Sequence, residues 1–112
     1  MDKSEQIKPI TAILIGAGQR GGEVFGKYAL YNPSKLSFVA VAEPREQYRK
    51  LFAEQHQIAE QKCFNSWEDI LQQPKIAEVA IIATPDHIHE KPAISALKSG
   101  YDLLLEKPMG VK

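Results

Sequence analysis

The sequence predicts a doubly wound α/β sheet, parallel throughout, and three observations carry that expectation. Short apolar runs alternate with amphipathic segments along the whole chain. A glycine-rich turn, Gly16-Ala-Gly18-Gln-Arg-Gly21, follows the first of those runs directly. The residue closing the second run is an acid, Glu43. Strands separated by helices cannot pair as hairpins, so their crossovers should be right-handed and the strands parallel.

Taken in order, Met1–Pro9 is polar and reads as a loose leader, without the apolar core of a signal peptide. Thr11–Ile15 is a bounded apolar run, as expected of a strand covered on both faces. The glycine turn then opens a helical segment, in which Gly22 and Gly26 read as residues of close packing against the sheet. Leu36–Ala42 is the second strand. In Arg45–Gln55 the period changes, and Tyr48, Leu51, Phe52 and Gln55 fall on one helical face. Cys63-Phe64 suggests a brief third strand from its place between helices. Ser66, with Asp69 three residues on, reads as a helix start leading into Ile70 and Leu71, and Pro74 closes that helix. Glu78–Ala83 is the fourth strand. Lys91–Ser99 is a helix carrying Ile94, Ala96 and Leu97, with Pro92 in its first turn and Gly100 as its stop. Asp102–Leu105 is the fifth strand.

At 112 residues the chain holds at most one domain, read here as residues 10–112. Fourteen basic and fourteen acidic residues cancel, so no basic footprint for nucleic acid or an anionic membrane exists. No apolar run reaches the roughly 20 residues that cross a bilayer. A single cysteine, Cys63, excludes an internal disulfide and suits a reducing cytoplasm. Cys63 and His56 read as structural. His87 and His89 lie two apart, but no cysteine or carboxylate joins them at metal-ligand spacing, so no metal is expected.

The glycine turn gains meaning from its context between a strand and a helix. Gly16 permits the tight turn, Gly18 leaves room for a pyrophosphate, and Gly21 lets the helix pack close to the strand. With Gln19 and Arg20 inside it, the turn is expected to border a dinucleotide whose phosphates face the helix N-terminus. Glu43 stands where a carboxylate accepts both adenosine ribose hydroxyls and repels a 2′-phosphate, which favours NAD over NADP. Arg45, two residues on, has three readings: pairing with that phosphate, lying over the adenine, or sitting solvated in a first helical turn. After the fourth strand comes Thr84-Pro-Asp-His-Ile-His89, a loop expected beside the cofactor. Thr84 and Pro85 are assigned to the site; His89 either ties the loop down or contacts cofactor. Glu106 and Lys107 leave the fifth strand at the same edge, before Pro108. A lysine beside a cationic nicotinamide would have a depressed pKa and could orient a substrate hydroxyl or relay its proton. Glu106 is placed against the nicotinamide-side ribose.

With G-A-G-Q-R-G, A-E-P, A-T-P-D-H-I-H and above all L-E-K-P on the page, the chain resembles the Gfo/Idh/MocA family of NAD(P)-dependent oxidoreductases from residue 10 to residue 112. The resemblance implies hydride transfer on sugars, cyclitols or related hydroxyl compounds. It implies a lysine, here Lys107, at the substrate, and an acid, here Glu106, at the cofactor. It implies too that the chain is the amino-terminal piece of a longer enzyme, whose next helix, sixth strand and substrate domain lie beyond it. The isolated piece is then expected to be inactive, and the unpaired edge of its fifth strand to promote homo-oligomers. A non-catalytic sensing or regulatory module is the alternative, against which Lys107 argues.

Overall fold

The computed structural model describes residues 8–17, 24–84 and 90–105. Five strands form one parallel sheet in the order β3-β2-β1-β4-β5: β1 (Ile10–Ile15), β2 (Leu36–Ala42), β3 (Cys63–Phe64), β4 (Val79–Ile82) and β5 (Asp102–Leu105). Among the described residues the α-helices are α1 (Gly26–Tyr31), α2 (Glu46–His56), α3 (Trp67–Gln72) and α4 (Glu90–Lys98), with a short 3-10 turn at Glu60–Lys62. The expected doubly wound sheet is therefore present, with β1 at its centre between β2 and β4.

Successive side chains of β1 point to opposite faces, and each face has its own core. Ala12 and Leu14 pack with Ala29 of α1 and Phe52 of α2, whereas Ile13 and Ile15 pack with Ile70 and Leu71 of α3 and Ala96 of α4. Strand β2 breaks the alternation once. Ala12 pairs with Phe38 but Ile13 with Ala40, so Val39 is an inserted residue. Both Val39 and Ala40 consequently lean on the α3/α4 side, and Phe38 and Val41 share the other.

The helix ends follow their sequence chemistry. Ser66 Oγ accepts the Asp69 backbone N–H at 3.1 Å, the expected N-cap of α3. At the end of α4 the N–H of Tyr101 reaches the Ala96 carbonyl and that of Gly100 reaches Leu97, with Gly100 at φ +96°. That is a Schellman closure, and its left-handed residue is the glycine expected there. Helix α2 closes the same way, Ile58 N–H to Ala53 and Gln57 N–H to Glu54, but its left-handed position holds Gln57 at φ +56°.

Some expectations need correction. In α2 the inward residue is Phe52, while Leu51 is 52% exposed and Gln55 is exposed too. In α4, Ile94 and Leu97 face outward, and Pro92 and Ala96 face the sheet. Helix α4 runs Glu90–Lys98, one residue earlier than expected, and β4 is two residues shorter than Glu78–Ala83. Gly26 does pack closely, but against α2: an added Cβ would stand 3.1 Å from His56 Nε2 and 3.2 Å from the Phe52 ring. His56 stacks on Phe52 with centroids 4.2 Å apart and meets Phe38 edge-on at 5.4 Å. Burial pushes its pKa below the ordinary 6.5.

Candidate functional site

Because every strand runs the same way, all five carboxyl ends lie on one edge of the sheet. The chain continues its pairing beyond the strands there: Gly16 N–H donates to Ala42 O at 2.8 Å, Ala83 N–H to Ile15 O at 2.8 Å, and Glu43 N–H to Phe64 O at 2.9 Å. The loops after β1, β2 and β4 are thereby drawn into direct contact. Gly16 holds φ +93°, a left-handed conformation. A Cβ on it would lie 3.0 Å from both the Ala83 carbonyl carbon and the Thr84 nitrogen. Glycine is required twice over, by conformation and by space.

Glu43 is the only buried charged residue among those described, 1% exposed. Its carboxylate is filled by four donors. Oε1 accepts the Ala17 N–H at 2.8 Å and Arg45 Nη2 at 3.2 Å. Oε2 accepts the Arg45 backbone N–H and Arg45 Nε, both at 2.8 Å. Burial pushes the carboxyl pKa up, but the Arg45 side chain, the two backbone N–H donors and the Arg45 charge together hold it below its ordinary 4.5. The Arg45 guanidinium lies 4.3 Å over the Tyr48 ring, and Arg49 donates to the Glu43 carbonyl at 2.7 Å. Sequence reasoning missed Arg49 and the Ala17 N–H as supports of Glu43. Neither carries a sequence signal, because one is a backbone group and the other an ordinary helix arginine.

Thr84 closes the third side of the site. Its Oγ1 is buried and has no hydrogen-bond partner among the described residues, an unmet acceptor and donor beside the Gly16 turn. That hydroxyl and the side-chain-free Gly16 suit a polar ligand lying along the edge. Gly16, Glu43, Arg45 and Thr84 are thus brought together. Gly18, Gln19, Arg20, Gly21, Pro85, His89, Glu106 and Lys107 lie outside the described residues. Leu105 pairs with Ile82, so the strand that leads into Glu106 and Lys107 ends on this same edge. No cluster of metal-binding side chains occurs among the described residues, and no described helix is long and apolar enough to cross a membrane.

Residues 10–112 match the oxidoreductase family GFO_IDH_MocA, defined by an NAD-binding Rossmann fold. The chain belongs to this family. Among its relatives is the trans-1,2-dihydrobenzene-1,2-diol dehydrogenase of Sus scrofa, 33% identical over 98 residues, which are 88% of this chain and 28% of that enzyme. A solved relative in fold is the WlbA dehydrogenase from Chromobacterium violaceum, in complex with NADH and UDP-GlcNAcA. It is 24% identical, with a TM-score of 0.78 over 91% of this chain and 28% of that one. A biliverdin reductase from Synechocystis, in complex with biliverdin and NADP+, superposes with a TM-score of 0.71 at 21% identity, over 91% of this chain and 30% of that one. The chain therefore spans somewhat over a quarter of the length of such Gfo/Idh/MocA relatives.

Proposed function

We propose that this chain is the dinucleotide-binding part of an oxidoreductase that moves a hydride between NAD and a hydroxyl-bearing substrate, a sugar, cyclitol or related compound. The observation that carries the reading is the contact of the loops bearing Gly16, Glu43 and Thr84 at one carboxyl edge. Ligands of open α/β sheets bind there, where the strand order reverses from β1 to β4. The nicotinamide, when bound, supplies the hydride acceptor or donor. Family membership and the dehydrogenase relatives support the reaction class.

Each residue then has one task. Gly18 admits the pyrophosphate to the backbone, and Gln19, Arg20 and Gly21 complete the turn around it. Glu43 receives the adenosine ribose hydroxyls and disfavours a 2′-phosphate, which makes NAD the preferred cofactor. Thr84, Pro85 and His89 border the nicotinamide half, and Glu106 holds its ribose. Lys107, beside the cationic ring, orients the substrate hydroxyl and takes its proton as the hydride leaves. The 112-residue chain by itself is expected to bind cofactor without turnover, since it spans only 28% of the length of the Sus scrofa dehydrogenase it matches.

Calorimetric titration with NAD and NADP tests the reading. NAD should bind more tightly, and Gly18→Leu should abolish binding of both. Retained binding in that variant sinks the phosphate-turn assignment, and tighter NADP binding overturns the cofactor preference. The same reading expects association of the chain through β5, which pairs only with β4 among the described strands and leaves Leu104 43% exposed. Sedimentation should show dimers or larger species that Leu104→Lys reduces; a strict monomer at high concentration refutes this.

A further inference from the structure

We propose that Arg45 is a specificity-determining residue of this site: a displaceable guard that occupies the Glu43 positions a ribose diol needs and swings out to receive a 2′-phosphate. The inference rests on the nicotinamide-dinucleotide reading and deepens it. An ionised carboxylate offers about four acceptor positions, and all four on Glu43 are taken. Two of the donors are fixed. The Ala17 and Arg45 backbone N–H groups belong to the β1 and β2 turns and cannot leave without remodelling them. The other two are the Nε and Nη2 of the Arg45 fork.

Those two are exchangeable. The Arg45 side chain is 58% exposed while that of Glu43 is 2% exposed, so the guanidinium covers the carboxylate from the solvent side. Besides Glu43, the guanidinium lies over the face of Tyr48. A ribose diol presents two O–H donors, the same number the fork presents. Binding of NAD therefore exchanges two charge-assisted bonds for two from a neutral diol and leaves Arg45 without its carboxylate. NADP has no diol at that carbon pair; its phosphate accepts and cannot donate. Against it Glu43 is repulsive, and the displaced guanidinium supplies the opposing charge in a fork suited to phosphate. Arg45 thus weakens NAD binding, strengthens NADP binding and narrows the discrimination that Glu43 alone would impose.

The test compares dissociation constants of NAD and NADP for wild type, Arg45→Ala and Arg45→Lys at one ionic strength, with unfolding curves to establish that each variant is folded. In Arg45→Ala, NAD should tighten about threefold or more and NADP weaken about tenfold, a combined change in their ratio of about thirtyfold. Arg45→Lys keeps the charge but loses the fork, so NADP should stay within about threefold of wild type while NAD tightens. A ratio unchanged within about twofold in Arg45→Ala overturns the role of Arg45 and leaves the cofactor reading intact. Weaker binding of both cofactors to a similar degree in that variant also overturns it, because Arg45 would then be a plain binding residue. Wild type that binds neither nucleotide overturns the cofactor reading itself.

Discussion

Replacing Glu43 by glutamine changes no volume and one charge, and the site geometry sets its cost. The amide keeps one acceptor oxygen and presents two donors on the other side. Turned toward Ala17, whose N–H is buried, the oxygen preserves the 2.8 Å bond. The amide nitrogen then faces the Arg45 backbone N–H and Nε, each at 2.8 Å from the lost oxygen. A hydrogen bond to a charged group contributes about 1.5–3 kcal/mol, and the largely exposed Arg45 side chain adds at most about 1 kcal/mol. The total is about 2–4 kcal/mol, which at urea m-values of about 1–3 kcal/mol/M shifts the unfolding midpoint by about 0.7–4 M. The pH dependence provides a second check. The folded-state pKa of Glu43 lies below its ordinary 4.5, so its stabilisation is complete above pH 4.5 and is lost as pH falls through the folded value. Glutamine does not titrate. The gap between wild type and Glu43→Gln should therefore be widest at neutral pH and close on acidification. A gap below about 0.5 kcal/mol at pH 7, or one that is constant with pH, refutes the reasoning.

Gly16→Ala should lose about 2–4 kcal/mol by chemical denaturation, from a positive φ and a Cβ driven into the backbone at 3.0 Å; a near-neutral result would contradict the tight turn. Gln57→Gly should gain about 0.5–1 kcal/mol, because the left-handed closure of α2 at φ +56° suits glycine better than glutamine. His56 is depressed in pKa by burial, so unfolding free energy should decline as pH falls below 6.5, where the unfolded histidine binds protons that the folded one resists. His56→Leu should flatten that slope, and an unchanged slope in urea titrations across pH 5–7 would assign it elsewhere.

The strands were legible because a parallel sheet covered on both faces demands continuous apolar runs, and each run appears at its expected place within a residue or two. The cap at Ser66 and the stop at Gly100 were legible for an equally local reason, since both are single-residue solutions to unpaired backbone groups. The helix faces were less so. Reading apolar size along α2 and α4 selects Leu51, Ile94 and Leu97, all of which face outward. The inward places on α4 go to Pro92 and Ala96, and on α1 to Ala29. A short helix lying close on a sheet gives its nearest positions to small residues, so size misleads where the approach is tightest. The irregularity at Val39 left no signal, because valine suits a regular strand equally well.

In the candidate site the positions were readable and the pairing was not. Spacing placed Glu43 at the end of β2 and Gly16 at the end of β1, but only the fold shows that the carboxylate of one binds the turn of the other through the Ala17 N–H. A carboxylate buried to 1% exposure needs compensating donors before any ligand arrives, and the β1 turn and Arg45 provide them. The same donors fix the carboxylate's orientation and tie the end of β2 to the chain at Ala17, just after β1, in the free protein. A ligand that takes the two outer positions on Glu43 displaces the Arg45 side chain, which is 58% exposed, and leaves the backbone donors in place.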